Sequence, residues 1–265
     1  MNPRPDHGEA SYRESGLIAG GKALITYRNS GIGCSVAIAF SREGADVVIN
    51  SLPAEEDAQE VVALIRVENG KVVTIPGDIR EETFCKLWVS QAAGALGELD
   101  ILASNTGRHQ FCESVTNLCI KDFDATFKSN LYGMFIINKG SLGNLLCGAS
   151  IINTSAVQAF KPNDILMDYI QTKADIFAFT KSLAKQLVQI GIRINAVAHI
   201  LDGPAVIWRA TTGKKLKNLA HPPRWDGRLI HRSCPYVRDD GLYRKQLYPR
   251  PVLVQRRWDR NAVMV

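Results

Sequence analysis

At 265 residues the chain is long enough for one α/β domain with a sizeable core, and 46% hydrophobic content with a mean hydropathy of -0.06 excludes a membrane-embedded or natively unstructured chain. No apolar run reaches membrane-spanning length, and the six cysteines and five histidines show no disulfide or metal-ligand spacing, so a cytoplasmic protein with reduced cysteines and no metal is expected. The net charge of +6 is unevenly spread: residues 1–198 carry 18 Lys+Arg against 21 Asp+Glu, whereas residues 199–265 carry 14 against 5.

Residues 1–20 are polar and rich in turn formers, which predicts a loosely held arm. Lys22–Thr26 is short and apolar, a buried strand by length. A glycine turn through Gly31 and Gly33 follows, then a helix over Cys34–Glu43 that Gly44 can cap. Asp46–Asn50 predicts a second strand, Ala54–Val67 an amphipathic helix, and Lys71–Pro76 a third strand. Glu81–Ala95 reads as helical and Leu99–Ala103 as a fourth strand. Lys121–Leu146 contains a long helix with Phe123, Phe127, Leu131, Met134 and Phe135 on its apolar face. Ser150–Thr154 is a fifth strand, Ile165–Ile190 another long helix, and Arg193–Val197 a sixth strand. Strands alternating with helices predict right-handed βαβ units in a doubly wound, Rossmann-like parallel sheet. Beyond Ala198 the alternation stops. Residues 199–265 contain no Glu, three of the four Trp and six of the eleven Pro. Fragments such as Pro251–Val254 could form strands, but no periodicity organises the segment.

Two features carry chemistry. Gly31 and Gly33, directly after a first strand and opening a first helix, allow a diphosphate to approach free N–H groups at a helix N-terminus; the alternative is a pair of packing glycines. Tyr169 and Lys173 lie one helical turn apart on the same face. A nearby ammonium favours the phenolate and brings a tyrosine closer to working pH, so the pair suits proton transfer. A chance surface pair is the competing reading of those two residues alone.

Taken together, Thr26…Gly31-Ile32-Gly33, Asp78, Asn105…Gly107, Asn130, Tyr169…Lys173 and Asn195-Ala196-Val197 resemble, in order and spacing, the short-chain dehydrogenase/reductase family. The arm Pro5-Asp6-His7-Gly8-Glu9…Ser11-Tyr12 and the segment Val157-Gln158-Ala159 resemble its N-terminally extended bacterial branch, and the likeness covers roughly residues 5–198. The resemblance implies three regions: an arm over 1–20, a dinucleotide-binding domain over 21–198 with its catalytic helix, and an atypical basic tail over 199–265. It implies NAD(P)-dependent transfer of a hydride between nicotinamide and a small-molecule carbonyl or alcohol.

By the same resemblance Tyr169 is the general acid-base group, and Lys173 holds the nicotinamide ribose and lowers the Tyr169 pKa. Asn130 anchors a water linking Lys173 to solvent; its alternative is a core Asn bonded to backbone. The implied cofactor set is Thr26, Arg28, Ser30, Gly31, Ile32, Gly33, Asn50, Asp78, Ile79, Asn105 and Gly107, with Tyr169 and Lys173. Asp78 would meet the adenine amino group, against a turn or cap role. Ser155, Gln158 and Phe160 would lie near the substrate. Homo-oligomers are usual in the family, but the family's last strand, often part of its oligomer contact, is not recognisable here.

Three departures fall on function. The first glycine of the family's turn is Tyr27 here, and a residue with Cβ and a large ring there could cost a few kcal/mol, or about two orders of magnitude in cofactor affinity. The serine that polarises the substrate carbonyl is Ala156, with Ser155 pointing to the other side if the strand stays extended. The family continues Asn-Ala-Val-Ala with Pro-Gly, whereas this chain reads Ala198-His199-Ile200 and its later composition resembles translation in a shifted frame. The second strand ends at Asn50-Ser51 without an acidic residue, and Arg28 lies in the glycine turn, which leans towards NADP over NAD. An inactive Rossmann-fold remnant, or a binding protein using the basic tail, are the other readings; nucleic acid is the weaker of the two because charge without a binding fold carries little.

Overall fold

The computed structural model describes residues 12–26, 32–52, 56–199 and 252–254. The glycine turn with Tyr27, Arg28, Ser30 and Gly31, and all of the tail except His199 and 252–254, lie outside the described residues.

Strands β1 (Lys22–Thr26), β2 (Asp46–Ser51), β3 (Val72–Pro76), β4 (Leu99–Ser104), β5 (Leu145–Ala156), β6 (Arg193–His199) and β7 (Val252–Val254) form one sheet in the order β3-β2-β1-β4-β5-β6-β7. Every neighbouring pair is parallel. Parallel pairing requires crossover connections, supplied here by α1 (Ile32–Arg42), α2 (Glu56–Val67), α3 (Glu82–Leu96), α4 (Ile120–Phe127), α5 (Gly133–Ser141) and α6 (Met167–Leu187). The six expected strands are present. A seventh adds to β6, within the Pro251–Val254 fragment, so the edge beside β6 is occupied.

Alternation along the strands divides the core. Ala23, Ile25, Val47 and Ile49 point to one face and pack with Val36, Ala37 and Phe40 of α1 and with Val61 and Ile65 of α2. Leu24, Val48 and Leu102 point to the other, against Trp88 and Val89 of α3, Ile137 of α5 and Leu183 of α6. A sheet covered on both faces needs apolar residues at every position, which is why the strands read as continuous apolar runs.

The long helix expected over Lys121–Leu146 is divided. A π turn at Lys128–Tyr132 separates α4 from α5, and the helix ends at Ser141, leaving Leu145 onward to lengthen β5. The π turn inserts an extra residue per turn, so the apolar face is out of phase beyond it. Met134 is buried as expected, whereas Phe135 is exposed and meets Phe179 edge-on with centroids 5.9 Å apart. Gly133, where α5 begins, passes close to β3's exit: a Cβ there would lie 2.6 Å from the Ile79 carbonyl oxygen.

The described end of the arm is anchored, in contrast to the loose segment expected. Buried Glu43 at the end of α1 accepts a hydrogen bond from the Tyr12 hydroxyl, one from Leu17 N at 2.7 Å and others from Ser15. Burial alone would raise the Glu43 pKa, but the bonds from Tyr12, Leu17 and Ser15 together outweigh it and hold the carboxyl below its ordinary value of 4.5. A carboxyl with a depressed folded-state pKa contributes stability that is complete above its ordinary pKa and lost as pH falls through the folded value. Glu43→Gln is therefore expected to cost about 1–2 kcal/mol at neutral pH. It should also flatten the acid limb of the melting curve as pH falls below the ordinary carboxylate pKa. Thermal melts across that range check this; an acid limb identical to wild type would show that Glu43 is not its source.

Candidate active site

In the sheet order the connections run outward from β1 to β3 and then return to β4 on the other side of β1. A crevice opens outside the carboxyl ends of strands at such a reversal, and ligands bind there in open α/β sheets. Thr26 ends β1 and Ser104 ends β4, side by side in register. The Thr26 hydroxyl accepts hydrogen bonds from Asn105 N at 2.8 Å and Thr106 N at 3.1 Å, tying the two strand ends together. Asn105 Oδ1 accepts from the Thr154 hydroxyl at 2.8 Å, which brings the end of β5 into the same layer. Asn105 thus ties the end of β4 to that of β5.

Tyr169 and Lys173 occupy one face of α6, and both are buried. The Lys173 Nζ lies 5.4 Å from the Tyr169 ring centroid and donates to the Thr154 carbonyl at 2.7 Å. That bond uses one of the three ammonium donors. Gly107 backs onto the pair: a Cβ there would stand 3.6 Å from Lys173 Nζ and 3.9 Å from Tyr169 Cε2. Burial pushes the Lys173 pKa down to about 7 and raises that of Tyr169. The resemblance implies that Lys173 lowers the Tyr169 pKa; desolvation of the phenol acts the other way and prevails, with the Lys173 ammonium bound to the Thr154 carbonyl.

Asn130 sits in the π turn and is wholly buried. Its Oδ1 accepts from Arg108 N at 2.6 Å, while its Nδ2 donates to Arg108 O at 2.8 Å and to Thr172 Oγ1 at 3.0 Å. It therefore clamps the loop after Gly107 to α6. Beside it lies a cavity of about 10 Å³, room for a single water. Thr26, Ile79, Ser104, Thr106, Asn130 and Met134 are among its walls, and the buried Thr106 hydroxyl has no partner among the described residues.

The remaining expectations divide. Ile32 opens α1 and Gly33 is buried in its first turn. Asn50 is buried near the end of β2. Asp78 accepts Arg80 N at 2.9 Å and forms an ion pair with the Arg80 guanidinium, a local turn interaction that engages the carboxylate expected to face adenine. Ile79 packs into the core by α3 and lines the small cavity. Ala156 is fully buried in a cluster with Leu166 and Tyr169, at the position where the resemblance places a serine. Ser155, expected near substrate, turns the other way: β5 stays extended through it, and its hydroxyl donates to the Lys173 carbonyl at 2.7 Å. Phe160, also expected there, is exposed and packs edge-on against Phe177 with centroids 5.1 Å apart. Gln158 is buried with its Oε1 unpartnered.

Sequence reasoning missed several participants. Arg108 donates to Thr126 Oγ1 and Asp122 Oδ1, each at 2.6 Å, and Thr126 donates to buried Asp168 at 2.5 Å, locking the loop after β4 to α4 and α6. His109 packs edge-on against Tyr169 with centroids 6.0 Å apart. His199, noted only as a break in the pattern, places Nε2 3.0 Å from the Tyr169 hydroxyl.

Comparison with known proteins agrees with this geometry. The family model described as short chain dehydrogenase matches residues 22–201. The chain is 46% identical over 209 residues to the uncharacterized oxidoreductase YhxD of Bacillus subtilis, covering 78% of this chain and 68% of that protein. It is 33% identical over 250 residues to NADPH-dependent aldehyde reductase 1, chloroplastic, of Arabidopsis thaliana, covering 89% and 85%. Among solved structures it superposes on a short chain dehydrogenase from Burkholderia cenocepacia J2315 in complex with NADP, with a TM-score of 0.67, 30% identity, and coverage of 73% and 83%. With its parallel sheet, its Tyr169–Lys173 helix and a family match over most of its length, the chain belongs to the short-chain dehydrogenase family of oxidoreductases.

Proposed function

We propose that this is a cytoplasmic NAD(P)-dependent oxidoreductase of carbonyl and alcohol substrates, with Tyr169 as its acid-base group and residues 21–198 as the working domain. The observation that carries the reading is the burial of Tyr169 and Lys173 against Gly107, beneath the sheet reversal between β1 and β4. A dinucleotide fits this chemistry. Lys173 has two further donors without a partner among the described residues, Gly107 brings bare backbone up to the ammonium, and α1 begins directly behind the glycine turn. When bound, the nicotinamide supplies or accepts the hydride. Tyr169 gives a proton to the substrate oxygen in reduction and takes it back in oxidation. Gln158, buried with an unpartnered acceptor, is the substrate-side residue that the geometry favours over Ser155.

We lean towards NADP: strand β2 ends without a carboxylate, and both the named NADPH-dependent relative and the NADP-bound structure point the same way. The second reading, an impaired or inactive member, rests on Ala156, which leaves the substrate oxygen one donor short. We infer a shifted frame for the sequence over 199–265, of which His199 and Val252–Val254 still join the sheet, and no nucleic-acid or membrane role is assigned to it. Among the described residues no helix is long and apolar enough to cross a membrane.

Fluorescence titration with NADPH and NADH tests the proposal. Saturable binding at micromolar concentration, tighter for NADPH, is expected; no binding of either at millimolar concentration by folded protein would overturn it.

A further inference from the structure

We infer that Arg108 is a positioning residue for Tyr169, acting through Thr126 and Asp168 to fix the phenol at the start of α6. The inference rests on the proposed role of Tyr169.

The need for such a device comes from where Tyr169 sits. It is the third residue of α6, and the N–H groups of a helix's first turn have no intrahelical partners. Leu166, the residue before the helix, makes no side-chain cap. Helix ends fray, and a displacement of about 1 Å in a reacting group can cost about a hundredfold in rate. Asp168 supplies the missing acceptor: its Oδ1 takes the Tyr169 N–H at 2.7 Å.

That carboxyl group is wholly buried, and burial of such a group is costly unless its oxygens are bonded. Its Oδ2 accepts from the Thr126 hydroxyl at 2.5 Å, and Thr126 Oγ1 in turn accepts from the Arg108 guanidinium at 2.6 Å. The hydroxyl has one proton to give, and its approach to the Asp122 carbonyl is longer, at 3.0 Å, so the proton goes to Asp168. The other end of the guanidinium is held by Asp122 Oδ1 at 2.6 Å.

A second route leaves from the main chain of the same residue. Arg108 N and O both bond Asn130, whose Nδ2 also donates to Thr172 Oγ1, and the Thr172 hydroxyl donates to the Tyr169 carbonyl at 2.7 Å. Arg108 is therefore joined to the Tyr169 N–H through its side chain and to the Tyr169 C=O through its backbone. The spacing of the two segments makes this possible. Thr126 and Asn130 lie four residues apart, as do Asp168 and Thr172, so the two cross-links fall about one turn from each other. His109, the next residue after Arg108, closes the arrangement by packing its ring edge-on against Tyr169.

Thr126→Val removes the linking hydroxyl at nearly constant volume. In the full-length protein it should lower kcat for aldehyde reduction by about 10- to 100-fold. The dissociation constant for NADPH should stay within about threefold, and Thr126→Ser should restore the rate. Arg108→Met keeps the stem of a half-buried side chain and the main-chain bonds to Asn130. It should show the same loss of kcat, and it carries the test if the Thr126 variant does not fold. A cycle with Tyr169→Phe separates positioning from general support of the fold. A group that acts through the phenol has nothing to position once the hydroxyl is gone. Either substitution should therefore change the residual rate of Tyr169→Phe by less than about threefold. A penalty carried over in full into the Tyr169→Phe background, or an unchanged kcat in folded Arg108→Met protein, would overturn the positioning role and leave the proposed function standing. A folded wild type that binds no dinucleotide and turns over no carbonyl would overturn that function, and this role with it.

Discussion

Tyr169→Phe should abolish most turnover while leaving the protein folded and the dinucleotide site intact. The ring stays where it is, packed with Ala156 and Leu166 and edge-on to His109, because the substitution removes one oxygen and nothing else. Its hydroxyl bonds only to His199 Nε2 among the described residues, so the loss in stability is that of one hydrogen bond, about 1 kcal/mol. Lys173 keeps its bond to Thr154 and its two remaining donors, so cofactor affinity should hold within about threefold. The acid-base step has no substitute: Ser155 is committed to the Lys173 carbonyl and Ala156 has no proton to offer. Loss of a positioned acid-base group typically costs about 10²–10⁴ in rate. Turnover of an aldehyde with saturating NADPH, followed at 340 nm for wild type and variant, checks this with about a thousandfold drop expected. Retention of wild-type kcat would remove Tyr169 from the chemistry and, with it, the basis of the functional assignment.

The fold was legible because it depends on periodicities that survive in one dimension. Ala23–Ile25 and Val47–Ile49 are unbroken apolar runs at the centres of β1 and β2, and only a strand covered on both faces has that need. The spacing of Tyr169 and Lys173 likewise puts them on one face whatever surrounds them. What stayed hidden depends on contacts between distant segments. The π turn exists where Asn130 reaches the Arg108 backbone, and nothing in Lys128–Tyr132 itself announces an extra residue. The direction of the Tyr169 pKa follows from burial and from Lys173 turning to Thr154, both products of packing. His199 was visible as a departure but not as a neighbour of Tyr169, because only the β5–β6 register sets it opposite Ala156. The side taken by Ser155 was legible in strand alternation, but its bond to the Lys173 carbonyl depends on where α6 packs.

Ala156→Ser should raise kcat by about 10- to 100-fold, since one missing donor at a developing oxyanion typically costs about 10²–10³. The backbone is prepared for it: Ala156 is extended, with φ -143° and ψ 153°, a conformation any residue adopts, and it ends a regular strand. The side chain already touches the Tyr169 cluster, so a hydroxyl on the same Cβ enters the space where the substrate oxygen must approach the phenol. A buried hydroxyl without a partner costs about 1–3 kcal/mol, and at this size that amounts to a few degrees of melting temperature. Substrate binding should change less than turnover, because the new bond strengthens as charge develops on the oxygen. The gain depends on a working Tyr169, so adding Tyr169→Phe to Ala156→Ser should return the rate to that of Tyr169→Phe within about tenfold. The comparison separates two accounts of the natural Ala156. A large gain with unchanged cofactor affinity means the protein retains every other part of the reductase and lacks only this donor. An unchanged kcat in a stably folded Ala156→Ser protein means that the shortage lies elsewhere, and the glycine turn, where Tyr27 replaces a glycine, becomes the position to restore next.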